Sequence, residues 1–277
     1  MRGDLHCHTK LSDGSQGIEY VIAAAKRARL DFLAITDHDT TASFSRSKVL
    51  GERYGVQVIQ GVEFSSCDET RGRKVHILCY LPEKPDRLQA LCMRTTEARK
   101  KAGSQMLQMV MRKYPISASE VVRLAGGECI YKQHIMHALM NAGYTTEIYG
   151  ELFHKLFDPG EKSCLVQIEY PGCRDVIDLI HSAGGLAVLA HPRVYDSFDL
   201  AQELIAEKRL DGIEVWHPRN QEGDSARLLS LTKEHGLLST GGSDFHGMYA
   251  SQPAEIGRCY TPKSYLDELF VRKDSMK

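Results

Sequence analysis

The 277-residue sequence is most informative at first through what it lacks. No apolar run approaches the roughly 20 residues that a membrane-spanning helix needs, and no internal repeat or low-complexity tract appears. Charge of one sign is missing too: 35 Lys and Arg face 36 Asp and Glu, for a net charge of -1. Such a chain has no global field with which to hold a long nucleic-acid duplex, so any anion must be gripped locally. The eight cysteines (Cys7, Cys67, Cys79, Cys92, Cys129, Cys164, Cys173 and Cys259) include no C-x-x-C pair. With no secretory apolar segment after Met1, they read as reduced thiols, mostly core filler, and point to the cytoplasm. The length suggests one large domain, or one domain with a sizeable insertion.

What is present is a rhythm. From residue 3 to about 81, short β-branched or apolar runs alternate with helical patterns, as in βα units. Strands are expected at Gly3 to Cys7, Phe32 to Thr36, Val56 to Val62 and Val75 to Leu81. A helix carrying Ile18, Val21, Ile22, Ala25 and Ala28 on one face, N-capped by Ser15, separates the first two, and a second runs from about Thr41 to Tyr54 before Gly55. Residues 86–165 instead show only helical stretches, at Leu88 to Met111, Ser119 to Leu124, Gln133 to Asn141 and Thr146 to Leu156, and read as an all-helical insertion. The βα rhythm returns at about 172, with strands at Leu186 to Ala190, Gly212 to Trp216 and Leu238 to Ser243. Seven strands alternating with helices predict a (β/α) barrel or barrel-like sheet built from residues 1–85 and 166–277.

Metal-ligand chemistry clusters where these strands end. His6 and His8 end the first strand, and in a strand alternate side chains share a face. His38 follows the second strand and Glu63 the third, His76 lies on the fourth, His191 follows Leu186 to Ala190, and Asp244 and His246 follow the last. Asp13 sits in the loop after strand one. Any one of these is more often a cap or loop residue, and Asp39 is read as the N-cap of the following helix. Five or six strand ends tipped this way are not explained by capping, because the carboxyl ends of parallel strands converge on one face. Imidazoles and carboxylates without thiolates suit Zn, Mn or Fe. Six histidines and three carboxylates exceed the ligands of one ion, so two or three divalent ions are expected, with a carboxylate bridging.

The order and wording of these pieces resemble the PHP (polymerase and histidinol phosphatase) family of metal-dependent phosphoesterases. The resemblance is carried by Asp4-Leu5-His6-Cys7-His8-Thr9, Ser12-Asp13-Gly14, Ala34-Ile35-Thr36-Asp37-His38-Asp39 and Gly61-Val62-Glu63-Phe64, then by Val75-His76-Ile77-Leu78, Ala190-His191-Pro192, Asp211-Gly212-Ile213-Glu214-Val215 and Gly242-Ser243-Asp244-Phe245-His246. It implies a distorted (β/α)7 barrel holding up to three metals. His6, His8, Glu63 and Asp244 would hold the first ion. Glu63 would bridge to a second that also uses His76, and Asp13, His38, His191 and His246 would hold the third. The chain is similar to the subgroup with a helical insertion, which acts on nucleotides or RNA ends, 3',5'-bisphosphorylated nucleosides among them.

These residues predict phosphoester hydrolysis by a metal-bridged hydroxide on a small phosphorylated metabolite, nucleotides first. Glu63 and His217 are the candidate catalytic residues, His217 as proton donor or phosphate contact. Arg193 and Arg219, near two strand ends, offer bidentate forks for phosphate. Tyr131-Lys132-Gln133-His134-Ile135-Met136-His137-Ala138-Leu139 stands where the subgroup usually reads Gly-Arg-Pro-His-Ile-Ala-Arg-Ala-Leu. Lys132 and His134 are accordingly candidate substrate contacts. Arg219-Asn220 also departs from the subgroup, which more often has small polar residues there. Histidinol-phosphate hydrolysis and 5'-to-3' exonuclease action on short RNA are the alternatives within the enzyme class, and a metal-stabilised binding or regulatory module is the alternative outside it.

Overall fold

The computed structural model describes residues 1–275. Its strands are β1 (Arg2–Cys7), β2 (Phe32–Ile35), β3 (Gln57–Asp68), β4 (Arg73–Tyr80), β5 (Leu186–Leu189), β6 (Gly212–Trp216), β7 (Leu238–Gly241) and the short β8 (Thr261–Pro262). They form one mixed sheet in the order β7-β6-β5-β4-β3-β2-β1-β8. The sheet curls until its edges meet: Thr261 Oγ1 accepts from the Gly241 amide at 2.8 Å, and beyond β7 the Phe245 carbonyl accepts from the His8 amide at 2.8 Å. The architecture is the distorted barrel that the sequence predicts.

One departure from the βα rhythm matters for function. Between β3 and β4 lie only residues 69–72, too few for a crossover helix, so the two strands form an antiparallel hairpin in which Ser65 pairs with His76. β4 then pairs antiparallel with β5, while β1 to β3 and β5 to β7 pair in parallel. β3 therefore runs six residues past Val62, and Glu63 stands inside the strand instead of at its end. Polarity hid this extension, because Glu63, Ser65, Ser66 and Asp68 are buried by the structure built above them.

The helices are α1 (Ile18–Arg27), α2 (Phe44–Tyr54), α3 (Gln89–Met111), α4 (Ala118–Ala125), α5 (Lys132–Asn141), α6 (Glu151–Phe157), α7 (Cys173–Ser182), α8 (Phe198–Ala206), α9 (Asp224–Glu234) and α10 (Lys263–Asp274). α2 stops at Gly55, which takes the left-handed φ of 68° that a glycine accepts without a Cβ penalty. Two expected caps are corrected. α1 begins after Gly17, and Ser15 Oγ instead accepts from the Met248 amide at 3.0 Å. α2 begins after Ser43, leaving Asp39 for another task.

Leu5, Ala34, Ile59, Leu78, Tyr80, Val188 and Leu238 fill the barrel interior, and Leu266 and Leu269 of α10 join that cluster. Helices α3 to α6 bury a separate cluster of their own, including Met106, Val110, Val121, Ile135, Met136, Leu139 and Phe157, together with Tyr249 from the barrel. In α3, Gly103 lies against the turn before α5, where an added Cβ would meet the Ile130 carbonyl oxygen at 2.3 Å. Gly103→Ala should therefore push α3 and α5 apart and destabilise the protein by about 1–3 kcal/mol, read as a lowered midpoint in thermal or denaturant unfolding.

Candidate metal centre

The centre is assembled around one carboxylate. Glu63, inside β3 and 1% exposed, places Oε2 at 3.2 Å from His6 Nε2, 3.1 Å from His8 Nε2 and 3.4 Å from His38 Nδ1. Its Oε1 lies 2.7 Å from His76 Nδ1 and 2.8 Å from His191 Nε2. Asp244 Oδ1 stands 3.4 Å from both His6 Nε2 and His8 Nε2. On the far side of His8, Asp13 Oδ1 approaches His246 Nε2 at 3.1 Å, and His246 stacks on His8 with ring centroids 4.1 Å apart. Burial alone would push Glu63 toward its neutral acid. The surrounding imidazoles, His76 first, hold it well below the usual carboxylate range, as His246 does for Asp13 and His6 for Asp244.

All nine residues expected as ligands are drawn into this region. Three groups have donor atoms within 4.8 Å of one another: His6, His8, Glu63 and Asp244; His8, Asp13, His38 and His246; and His38, Glu63 and His76. Two ligands each about 2.1 Å from a tetrahedral ion lie roughly 3.4 Å apart, close to the separations seen. His6 Nε2, His8 Nε2, His38 Nδ1 and His191 Nδ1 are buried nitrogens without a hydrogen-bond partner, a costly arrangement unless something else binds them. The donor set fits divalent cations. One expected assignment changes: His191 stands with His76 on Oε1 of Glu63 and not with Asp13 and His246, whose group takes His8 instead.

Supporting contacts orient the ligands. His6 Nδ1 pairs with Glu214 Oε1 at 3.0 Å, so its proton sits there and Nε2 is left as a lone-pair donor. Glu214 Oε2 accepts from the His191 amide at 2.8 Å. Asp37 accepts from the Thr9 amide, Thr9 Oγ1 and Ser12 Oγ, at 2.6–2.7 Å, and so pins the loop that carries Asp13. His191 and Asp244 hold left-handed backbone, at φ 26° and 49°, a strain typical of residues aimed at a site.

Asp39 is not a cap. With φ 54° it turns inward, accepting from the Ser65 amide at 3.0 Å and from Arg99 Nη2 at 2.5 Å. Arg99 comes from α3, lies between the Tyr131 and Tyr170 rings, and ties the helical layer to the strand ends. Above the ligands lies a pocket of about 730 Å³, with Asp13, His38 and His76 among its walls and Lys74, Lys132, Tyr131, Tyr149, Tyr170 and Tyr195 around them.

The expected substrate contacts divide. Lys132 faces this pocket, and its ammonium lies 5.9 Å from the Phe153 ring centroid. His217 is buried, with Nε2 3.3 Å from Asp244 Oδ2 and Nδ1 accepting from the Arg219 amide at 3.1 Å. Arg219 lines a second recess beside Asp244 and His246. His134 is turned to another use: Nδ1 accepts from the Tyr131 amide at 3.1 Å, capping α5, and burial holds its pKa down at about 4. Arg193 is spent as well, its fork closed on Asp224 at 2.6 Å and its guanidinium over Phe198.

Sequence reasoning did not single out Lys74, Arg99, Gln133, Tyr195 or Glu214 as site residues. Lys74 and Glu214 stand two residues from His76 and Trp216 in strands, where period-2 alternation could have found them; Arg99 carries no such signal. Replacing Glu214 with Gln should lower divalent-metal affinity about 10- to 100-fold, measured by chelator competition on the loaded protein; unchanged affinity would show that Glu214 does not tune His6.

The PHP domain family matches residues 4–214. A phosphoribosyl 1,2-cyclic phosphate 1,2-diphosphodiesterase of Eggerthella lenta is 42% identical over 254 residues, covering 90% of this chain and 96% of that one. The 5'-3' exoribonuclease Rnm of Salmonella typhimurium is 31% identical over 266 residues, covering 92% of this chain and 88% of its own. The crystal structure of a candidate metal-dependent phosphoesterase from Bifidobacterium adolescentis superposes with a TM-score of 0.86 at 28% identity, covering 98% of this chain and 96% of that one. The ordered ligands on a barrel, and a family match running from the first strand to β6, make this chain a member of the PHP domain family.

Proposed function

We propose that the protein is a metal-dependent phosphoesterase acting on a small ribose-linked phosphate, that of a nucleotide such as a 3',5'-bisphosphorylated nucleoside. The observation that carries this reading is the pocket: candidate metal ligands on one wall, cationic side chains without a direct ion pair and aromatic rings on the others. Lys74 and Lys132 both face it, and neither has a carboxylate within ion-pair distance among the described residues. Burial lowers the pKa of both ammoniums, with Arg99 adding to the effect on Lys74 and Lys74 to that on Lys132. Asp39, Asp13 and Glu63 act on Lys74 from beyond ion-pair distance and Asp158 on Lys132, so both ammoniums lack only a direct partner, which an anionic occupant would supply. A second phosphate there, beside the one at the ligand cluster, would relieve the repulsion.

His6, His8, Asp13, His38, Glu63, His76, His191, Asp244 and His246 would hold two or three divalent ions, of Mn, Zn or Fe. Ions so held supply Lewis acidity at phosphoryl oxygens and an acidified water. The chain's own residues do the rest. Tyr131, Tyr149 and Tyr170 offer aromatic surface to a base or ribose, and the helical segment 86–165 acts as the substrate cap over a barrel of residues 1–85 and 166–277. His217 accepts a backbone N–H at Nδ1, which places its own proton on Nε2, facing the centre. From there it donates to the departing oxygen. Hydrolysis adds water across the P–O bond: the water oxygen becomes bonded to phosphorus and the alcohol leaves with a proton.

The likeness to an RNA-degrading enzyme favours a second reading, 5'-to-3' removal of nucleotides from short RNA, for which the same pocket would hold the terminal nucleotide. Among the described residues no helix is long and apolar enough to cross a membrane. The eight unpaired thiols fit a reducing compartment such as the cytoplasm.

Phosphate release from bisphosphorylated nucleosides, ribose cyclic phosphates, histidinol phosphate and short RNA, measured with Mn²⁺-loaded protein beside its metal content, tests the reading. Release from a nucleotide, lost on chelation and in Glu63→Ala, is expected; no release from any ester would refute it. Lys132→Met should raise KM for a bisphosphorylated substrate about tenfold, with less effect on a monophosphate, since a charged hydrogen bond contributes about 1.5–3 kcal/mol.

A further inference from the structure

The ligand cluster opens on two sides. Asp13, His38 and His76 face the large pocket, whereas Asp244 and His246 face a separate recess of about 140 Å³. Gln133 and Tyr149 line both cavities and form the wall between them. The wall is tied to its surroundings, because Gln133 Nε2 donates to Asp13 Oδ2 at 3.4 Å and the Tyr149 hydroxyl donates to the Tyr249 carbonyl at 2.6 Å.

The recess differs from the pocket in size and in charge. With water occupying about 30 Å³, it has room for about four or five waters or one tetrahedral oxyanion, and no room for a nucleoside. Its cation is Arg219, whose guanidinium reaches only Ser251 Oγ, at 3.0 Å, and has no carboxylate partner among the described residues. Arg193, the other arginine expected at a strand end, has its fork closed by Asp224, so Arg219 is the one left open to an anion. The same turn carries His217, whose Nδ1 accepts from the Arg219 amide and whose Nε2 faces Asp244 Oδ2 at 3.3 Å on the wall of the recess. A guanidinium without a carboxylate partner thus borders a phosphate-sized space beside the candidate ligands.

We propose that the Arg219 recess is the release site for inorganic phosphate, so that the organic product leaves through the large pocket and phosphate leaves on the opposite side of the Gln133–Tyr149 wall. The inference rests on reading the centre as a phosphoester hydrolase, and it adds a direction to the reaction. The two products differ in bulk and charge, and each cavity matches one of them.

Equilibrium titration of the metal-loaded protein with inorganic phosphate, by calorimetry or ³¹P line broadening, tests this without turnover. Arg219→Ala should weaken phosphate binding roughly tenfold, and Arg219→Lys, which keeps the charge without the fork, should fall between that and the wild type. Lys132→Met should leave phosphate affinity unchanged while raising KM for the nucleotide. The matching kinetic result is a tenfold higher inhibition constant for phosphate in Arg219→Ala only. Affinity within twofold of wild type in Arg219→Ala, or an equal loss in Lys132→Met, would overturn the assignment. Either result would leave phosphoester hydrolysis standing, whereas absence of hydrolysis with intact, Arg219-dependent phosphate binding would overturn the function and keep the site.

Discussion

Everything in the site is arranged about the burial of one carboxylate. Glu63 is nearly inaccessible, and five imidazoles, from His6, His8, His38, His76 and His191, approach its two oxygens within 3.4 Å. A buried carboxylate without compensation is expensive, and imidazole nitrogens without partners are scarcely cheaper. Metal ions held among them would resolve both problems at once. Glu63 can occupy this position because β3 continues through it into a hairpin with β4, which also delivers His76 from the opposite strand.

The helical layer is joined to the centre at points that bear on the ligands. Asp39, one residue from His38, is held by Arg99 of α3. Gln133 at the start of α5 reaches Asp13, and Tyr249, three residues beyond His246, packs in the helical core and hydrogen-bonds His137 at 2.9 Å. A shift of the helices would therefore be felt at Asp13, His38 and His246. The Arg99–Asp39 pair is buried, and removing either partner alone would leave an uncompensated charge, a loss of about 3–5 kcal/mol. The helical layer and the candidate metal centre are in this way mechanically coupled.

Much of the barrel was legible in the chain, and so was the gathering of nine candidate ligands in one region, since strand periodicity and strand ends mark where chemistry converges. His6 and His8 announced a shared face, and the βα rhythm placed the remaining ligands near the same end. The β3–β4 hairpin was not legible, because its polar residues are buried by helices far away in sequence. For the same reason Asp39 looked like a cap: only the approach of Arg99, sixty residues later, gives it a partner. His134 and Arg193 illustrate the converse. Each has the right chemistry for a phosphate, and each is claimed by a nearer partner, the α5 backbone in one case and Asp224 in the other.

The residue types of the candidate ligands and the alternation of strands with helices are local properties, written in residue type and in the period of two or 3.6, and the sequence by itself determined them. Which cations remain free, which carboxylates they neutralise and how the space over the ligands is divided depend on distances between segments far apart in the chain. Only the tertiary structure decided that Lys74 and Lys132 face one pocket, that Arg219 faces another, and that Gln133 stands between them. Coulomb energy and excluded volume act through space, so no reading of neighbours along the chain could have supplied them.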